Sequence, residues 1–238
     1  MPATTDARFA PTRWTLVLAA GGPVDASSRH ALSELAAAYW FPLYAYLRRR
    51  GHSAAAAEDL TQSFFARVLE KNALTAAEPA RGRFRSFLLA SLQNFLHNEQ
   101  DKQTAQRRGG GVQTFALDTL DAEARYALEP AHEMTAERLF ERRWAWAVLD
   151  RVLLRLRDHY RTQRQEHLFD ALKGTLTGAS AAPHAEIAAQ LAMEPGAVAV
   201  ACHRLRRRYR EFLRDEIAQT VHDPAEVDGE IRYLLCCL

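Results

Sequence analysis

Cysteine and lysine are scarce in this 238-residue sequence, at three each. Cys202, Cys236 and Cys237 are too few for a disulfide framework, and neighbours such as Cys236 and Cys237 rarely bridge each other. A reducing, cytoplasmic setting is the expectation. Long apolar runs are missing too, and none approaches the length of a membrane-spanning helix, so no membrane partner is expected. Met1 to Trp14 lack the charged-then-apolar layout of a secretory signal. No glycine-rich phosphate loop, nucleophile elbow or paired-carboxylate motif appears. His159 and His167 have no companion carboxylate cluster, which argues against a metal centre. These absences point away from the common enzyme classes and toward a binding protein without a cofactor.

What is present is helix-forming and unevenly charged. β-Branched runs are few, and abundant Ala, Leu, Arg and Glu predict an all-α fold. The formal net charge is only +2, with 48% hydrophobic and 25% charged residues, an ordinary globular balance. The charge is nevertheless segregated. Phe115 to Glu141 holds seven acids (Asp118, Asp121, Glu123, Glu129, Glu133, Glu137, Glu141) against two arginines, whereas Gly196 to Arg214 holds six arginines against Glu211. Arginine in place of lysine suits phosphate contacts. With so much alanine beside it, the bias is better read as the signature of a GC-rich genome.

The arginine-rich stretch, Pro183 to Arg214, reads as two helices joined by a tight turn. Ile187 and Leu191 are spaced for a short first helix over about His184 to Leu191. Met193-Glu194-Pro195-Gly196 breaks the pattern. Val198, Cys202, Leu205, Tyr209, Phe212, Leu213 and Ile217 then form the apolar stripe of a long helix. Its other face carries His203, Arg204, Arg206, Arg207, Arg208, Arg210 and Arg214. A basic amphipathic helix alone is often only a solvated face. Preceded by a short helix and a turn, it fits a helix-turn-helix that enters the major groove and holds phosphates.

Elsewhere the chain divides into five segments: an extension over 1–27, a helical domain over 28–108, a linker over 109–134, a second helical domain over 135–220 and a tail over 221–238. Trp14 to Leu18 fits either a short helix or a strand. Helices are predicted over about Ser28 to Arg50, with Pro42 as a kink or restart, and from a Ser53 cap to about Asn72. A third starts near Phe84, with Phe84, Phe87, Leu88, Leu92, Phe95 and Leu96 inward, and Arg85, Gln93, Asn94 and His97 outward. Gly109-Gly110-Gly111 marks the boundary, and the acidic segment after it has weak periodicity and reads as a linker. Phe140, Trp144, Val148, Val152, Leu156 and Tyr160 set the first helix of the second domain. Val227, Ile231, Leu234 and Leu235 make a tail stripe too short to stand alone in water, so it should dock, with the second domain as the expected seat.

Three motifs carry a resemblance. Ala57-Glu58-Asp59-Leu60-Thr61-Gln62-Ser63-Phe64-Phe65 is similar to the A-E-D-L-x-Q-x-x-F signature of bacterial RNA polymerase sigma factors of the extracytoplasmic-function group. Arg83-Phe84-Arg85-Ser86-Phe87-Leu88 through Gln93-Asn94-Phe95 resembles that family's F-R-x-W-L…R-N segment, with Phe87 in place of Trp. His184 to Arg206 resembles its region-four motif through Glu186-Ile187-Ala188, Gly196, Val198, His203, Arg204 and Arg206. The resemblance covers roughly Trp14 to Leu238 and includes the tail that one branch of the family carries. It implies a region 2-like and a region 4-like domain joined by an acidic linker that threads the RNA-exit path. It also implies a function: to bind core RNA polymerase at the β′ clamp and β flap and direct it to promoter DNA. An anti-sigma factor is a further candidate partner.

Residue by residue, the resemblance assigns Glu58, Asp59, Gln62 and Phe65 to polymerase binding. DNA contacts fall to Arg81, Arg83, Arg85, Gln93, Asn94, His97, Arg107 and Arg108 at the −10 element. At the −35 element they fall to His184, His203, Arg204, Arg206, Arg207 and Arg210. Phe87 or His97 would supply stacking for single-stranded DNA; Phe84, Phe87 and Phe95 also read as plain core. Ala199 departs from the pattern, standing where the family usually has Lys or Arg. Polar side chains normally read bases, so upstream selectivity should be shallow. A free-standing helix-turn-helix regulator that binds an operator as a dimer is the alternative reading. A nuclease is a third, disfavoured by the missing carboxylates.

Overall fold

The computed structural model describes residues 26–70, 83–105, 120–129, 134–176, 184–221 and 223–238, with backbone alone at 26–32, 34–35, 69–70, 100–105 and 120–121. Among the described residues every element is helical and no strand occurs. In chain order they are α1 (Ala26–Arg49), α2 (Ala54–Glu70), α3 (Phe84–Ala105), α4 (Leu120–Ala127), α5 (Ala136–Thr162) and α6 (Glu166–Leu172). A 3-10 turn (Lys173–Leu176), α7 (His184–Leu191), α8 (Pro195–Ala218), a second 3-10 turn (Pro224–Glu226) and α9 (Val227–Cys236) follow. Contacts group them into two compact units, Met1–Ala145 with Ala218–Leu238, and Trp146–Ile217. The boundary between these units falls within α5.

The first unit is built on α1. Tyr39, Leu43, Tyr46 and Leu47 are fully buried, each such burial contributing about 1.5–3 kcal/mol. Pro42 sits inside a helix that continues to Arg49. Gly51 ends it with a left-handed φ of 93°, a conformation that only glycine adopts without strain. His52 N–H then bonds back to the Leu47 carbonyl at 3.2 Å. Ser53 caps α2 as expected, its Oγ accepting from Ala56 N–H at 3.2 Å. Across the core, Phe84 of α3 meets Tyr39 edge-on at 5.2 Å, and Phe95 meets Phe64 at 5.8 Å.

Two parts of this unit differ from the sequence reading. Residues 120–127, expected within a linker, form α4 and dock on α1. Glu123 there accepts from Arg48 Nε at 2.9 Å, Arg48 Nη2 at 2.6 Å and Tyr44 Oη at 2.5 Å. Arg125 lies over the Phe41 ring at 4.1 Å. Glu123, with Arg48, and Glu129, with Arg143, are therefore ion-pair partners within a segment read as solvated. The tail docks within this unit, where Glu230 pairs with Arg83 and Arg85 of α3 and Tyr233 meets Glu141 at the start of α5, the beginning of the expected second domain. Thr220 O accepts from Phe84 N–H at 3.3 Å, and Val227, Glu230 and Leu234 are buried.

The second unit gathers Leu156 and Tyr160 of α5, Phe169 and Leu172 of α6, Ile187 and Ala188 of α7, and Val198, Cys202 and Leu205 of α8 into one core. The sequence stripe over Val198 to Ile217 is the buried face of α8. Glu216 is the exception among these apolar groups. It is 4% exposed and pairs with Arg151 Nε at 2.8 Å and Arg155 at 3.7 Å, tying α8 to α5.

Candidate nucleic-acid interface

The helix-turn-helix forms where the sequence places it, but the turn is made differently. Ala192, not a glycine, takes the left-handed conformation (φ 51°), and Met193 N–H bonds to the Ala188 carbonyl at 2.9 Å. Pro195 opens α8; its ring fixes the helical φ at a position whose N–H needs no partner. Gly196, Ala197, Ala199, Val200, His203 and Arg204 are all exposed on the leading turns. His184 is exposed at the start of α7.

The α8 arginines are not equivalent. Arg207 Nε and Arg208 Nη1 both donate to Glu211, at 3.1 and 2.8 Å. Arg206 Nη2 donates to the Thr175 carbonyl at 3.1 Å, so it also closes the turn after α6. Arg204 and Arg210 are exposed and neither appears in an ion pair among the described residues. They carry the least compensated positive charge on this face, suited to phosphates. Burial raises the Tyr160 and Tyr209 hydroxyl pKa values first; Arg208 opposes this at Tyr160 and Asp150 adds to it at Tyr209. Both rings remain neutral beneath the cationic surface.

On α3, Gln93, Asn94 and His97 are exposed, as their spacing predicts. Asn94 borders a cavity of about 180 Å³ with Phe64, Arg67, Val68, Ser91, Phe95 and Asn98. Gln93 and His97 line another of about 250 Å³ with Tyr46, Arg50, His52 and Leu96, where Gln93 Nε2 donates to Tyr46 Oη at 3.0 Å. Desolvation, then Arg50, lowers the His52 pKa. The amides thus sit at concave surface of base size, which helical spacing alone does not reveal. Phe84 and Phe95 are buried core, whereas Phe87 is half-buried.

Several expected contacts are corrected by burial. Arg85, expected to look outward, is 3% exposed and pairs with Glu230 of α9. The rings of Tyr233 and Trp144 cover its guanidinium at 4.2 and 4.6 Å. Desolvation, then Arg83, lowers its pKa. Arg83 is held as well, its Nε 2.8 Å from Glu230 Oε2. Neither the Glu230 partner nor the rings could be found from spacing, because they lie on separate elements. On α2, Phe65 is 4% and Gln62 8% exposed, and Gln62 Nε2 donates to Glu58 Oε1 at 3.2 Å. Asp59 is exposed and Glu58 half-exposed. Arg81, Arg107 and Arg108 lie outside the described residues.

Among the described residues no group of three or more His, Cys, Asp or Glu is placed to hold a metal ion. No described helix is long and apolar enough to cross a membrane. No family model, curated protein or solved structure matches the chain.

Proposed function

We propose that this chain is a promoter-specificity subunit of bacterial RNA polymerase, a sigma factor of the extracytoplasmic-function type. The observation that carries the reading is the exposed cationic face of α8 within a helix-turn-helix, with Arg204 and Arg210 uncompensated and His203 beside them. In this reading the Trp146–Ile217 unit is region 4-like and meets the upstream promoter element in the major groove. The other unit is region 2-like. Gln93, Asn94 and His97 on α3 meet unpaired bases of the downstream element, and their adjoining cavities offer room for them.

Polymerase binding falls to Asp59 and Glu58 on α2, with Gln62 holding Glu58 in place and Phe65 supporting the helix from the core. Arg85 leaves the list of phosphate contacts, and Arg83 serves it only in part. The protein works in the cytoplasm, by binding alone, with no covalent chemistry of its own. The test is co-elution of the full chain with core polymerase. Asp59→Arg should abolish it while the circular dichroism spectrum stays unchanged. Unaltered co-elution removes the α2 assignment, and no co-elution of wild type removes the reading.

A further inference from the structure

The leading turns of α8 present an unusual surface for a helix that reads DNA. Ala197, Ala199 and Val200 are exposed, Val200 at 51%. Gly196, one turn before Val200, has open space where a Cβ would stand. None of these side chains can donate or accept a hydrogen bond. The same outward face continues, at helical spacing, through His203, Arg204 and Arg207. Small and apolar groups therefore hold the positions that meet base edges, while cationic groups follow. From Val200 to Arg207 the rise is about 10.5 Å, close to the major-groove width of about 12 Å. An arginine at the rim thus reaches phosphate when Val200 is at the groove floor.

We propose that Val200, flanked by Ala197 and Ala199, reads the C5-methyl groups of thymines in the major groove, so that upstream selectivity is apolar. This rests on the promoter-reading proposal above. The thymine methyl is the apolar group that an unmodified base pair presents in that groove, and the Arg204, Arg207 and Arg210 side chains complement the backbone charge beside it. Gly196 lets the helix start come close to the bases, so a short side chain such as Val200 can touch the methyl. An exposed alanine at position 199 then fits the design, since a long cation there would hold the helix away from the groove floor.

The experiment uses the full chain, with and without core polymerase, on random duplex libraries made with thymine or with deoxyuridine, followed by sequencing of bound DNA. The expected thymine-library motif contains one or two modestly preferred thymines in the upstream element, at about fourfold each. In the deoxyuridine library preference there falls about fourfold per lost methyl, and 5-methylcytosine placed at the same site recovers it. Val200→Ser, an exposed position that leaves the core intact, loses the same preference with thymine DNA, whereas Val200→Thr retains part of it. A motif of equal depth in both libraries overturns methyl reading and leaves promoter reading in place. So does an unchanged motif for Val200→Ser accompanied by a changed sedimentation coefficient, which assigns the patch to a protein contact. The absence of any motif in either library overturns both.

Discussion

The Glu230 carboxylate of α9 meets the Arg85 guanidinium of α3 with neither side chain more than 3% exposed. Arg83 approaches the same carboxylate from a more open position, 38% exposed. One buried anion thus compensates one buried and one half-exposed cation, and Tyr233 lies over both, at 4.2 and 5.3 Å. The pair fixes the tail on the start of α3. Removing one partner of a buried pair leaves the other charged and desolvated.

Glu230→Ala should therefore cost about 3–5 kcal/mol in urea denaturation. Arg83→Ala should cost no more than about 1 kcal/mol, because solvent already screens that side chain. Equal losses for the two would show that the buried pair is not what holds the tail.

Alkaline pH should loosen the first unit. Burial first, then the bond to Glu123, raises Tyr44 from 10.0 to about 12. Burial, then the bond to Glu141, raises Tyr233 from 10.0 to about 12. The unfolded chain ionises these phenols first, so their stabilising contribution is complete below about pH 10 and is lost as pH rises through about 12. On the acid side, Glu123 is held below its ordinary value by Arg48 first and Tyr44 second. Its contribution fades as pH falls through that lowered value. Tyr44→Phe should flatten the alkaline limb of stability against pH, measured by denaturation at each pH.

The arginines of α8 should separate into two classes. Arg204→Ala and Arg210→Ala should weaken DNA binding across sequences, each reducing the slope of log affinity against log salt by about 1. Their effect on stability should stay within about 0.5 kcal/mol. Arg206→Ala should lower stability as well, because the Thr175 carbonyl loses its donor. Fluorescence anisotropy over a salt series, paired with thermal denaturation, distinguishes the classes.

Ala192 carries a Cβ in a left-handed conformation, which costs about 1–2 kcal/mol relative to a relaxed backbone. Ala192→Gly should raise the stability of the full chain, by about 0.5–1 kcal/mol after the greater freedom of an unfolded glycine is counted. A drop on calorimetry would mean that the turn depends on the methyl.

Helices α1, α2 and α3 and both helices of the helix-turn-helix follow from apolar periodicity and from the Ser53 cap, whose side chain accepts from Ala56 N–H at 3.2 Å. Local chemistry determines those features. Residues 120–127 were not legible as a docked helix, because Glu123 is stabilised by Arg48 and Tyr44, far away in the chain. Arg85 reads as a surface cation for the same reason: its partners sit on α5 and α9. The turn at Ala192 was masked by the stronger Pro195-Gly196 signal. At the candidate interface, exposure of Gln93, Asn94, His203 and Arg204 was legible, whereas the burial of Gln62 and Arg85 depends on tertiary neighbours.

Run-off transcription most directly tests the central claim. Bacterial core polymerase reconstituted with the full chain should produce specific transcripts from fragments of the genome that encodes it, and core alone should not. Asn94→Ala should reduce opening of those promoters, followed by permanganate reactivity, while polymerase binding persists. Sequence-specific DNA binding by the chain alone, with no transcript from the reconstituted polymerase, would contradict the claim.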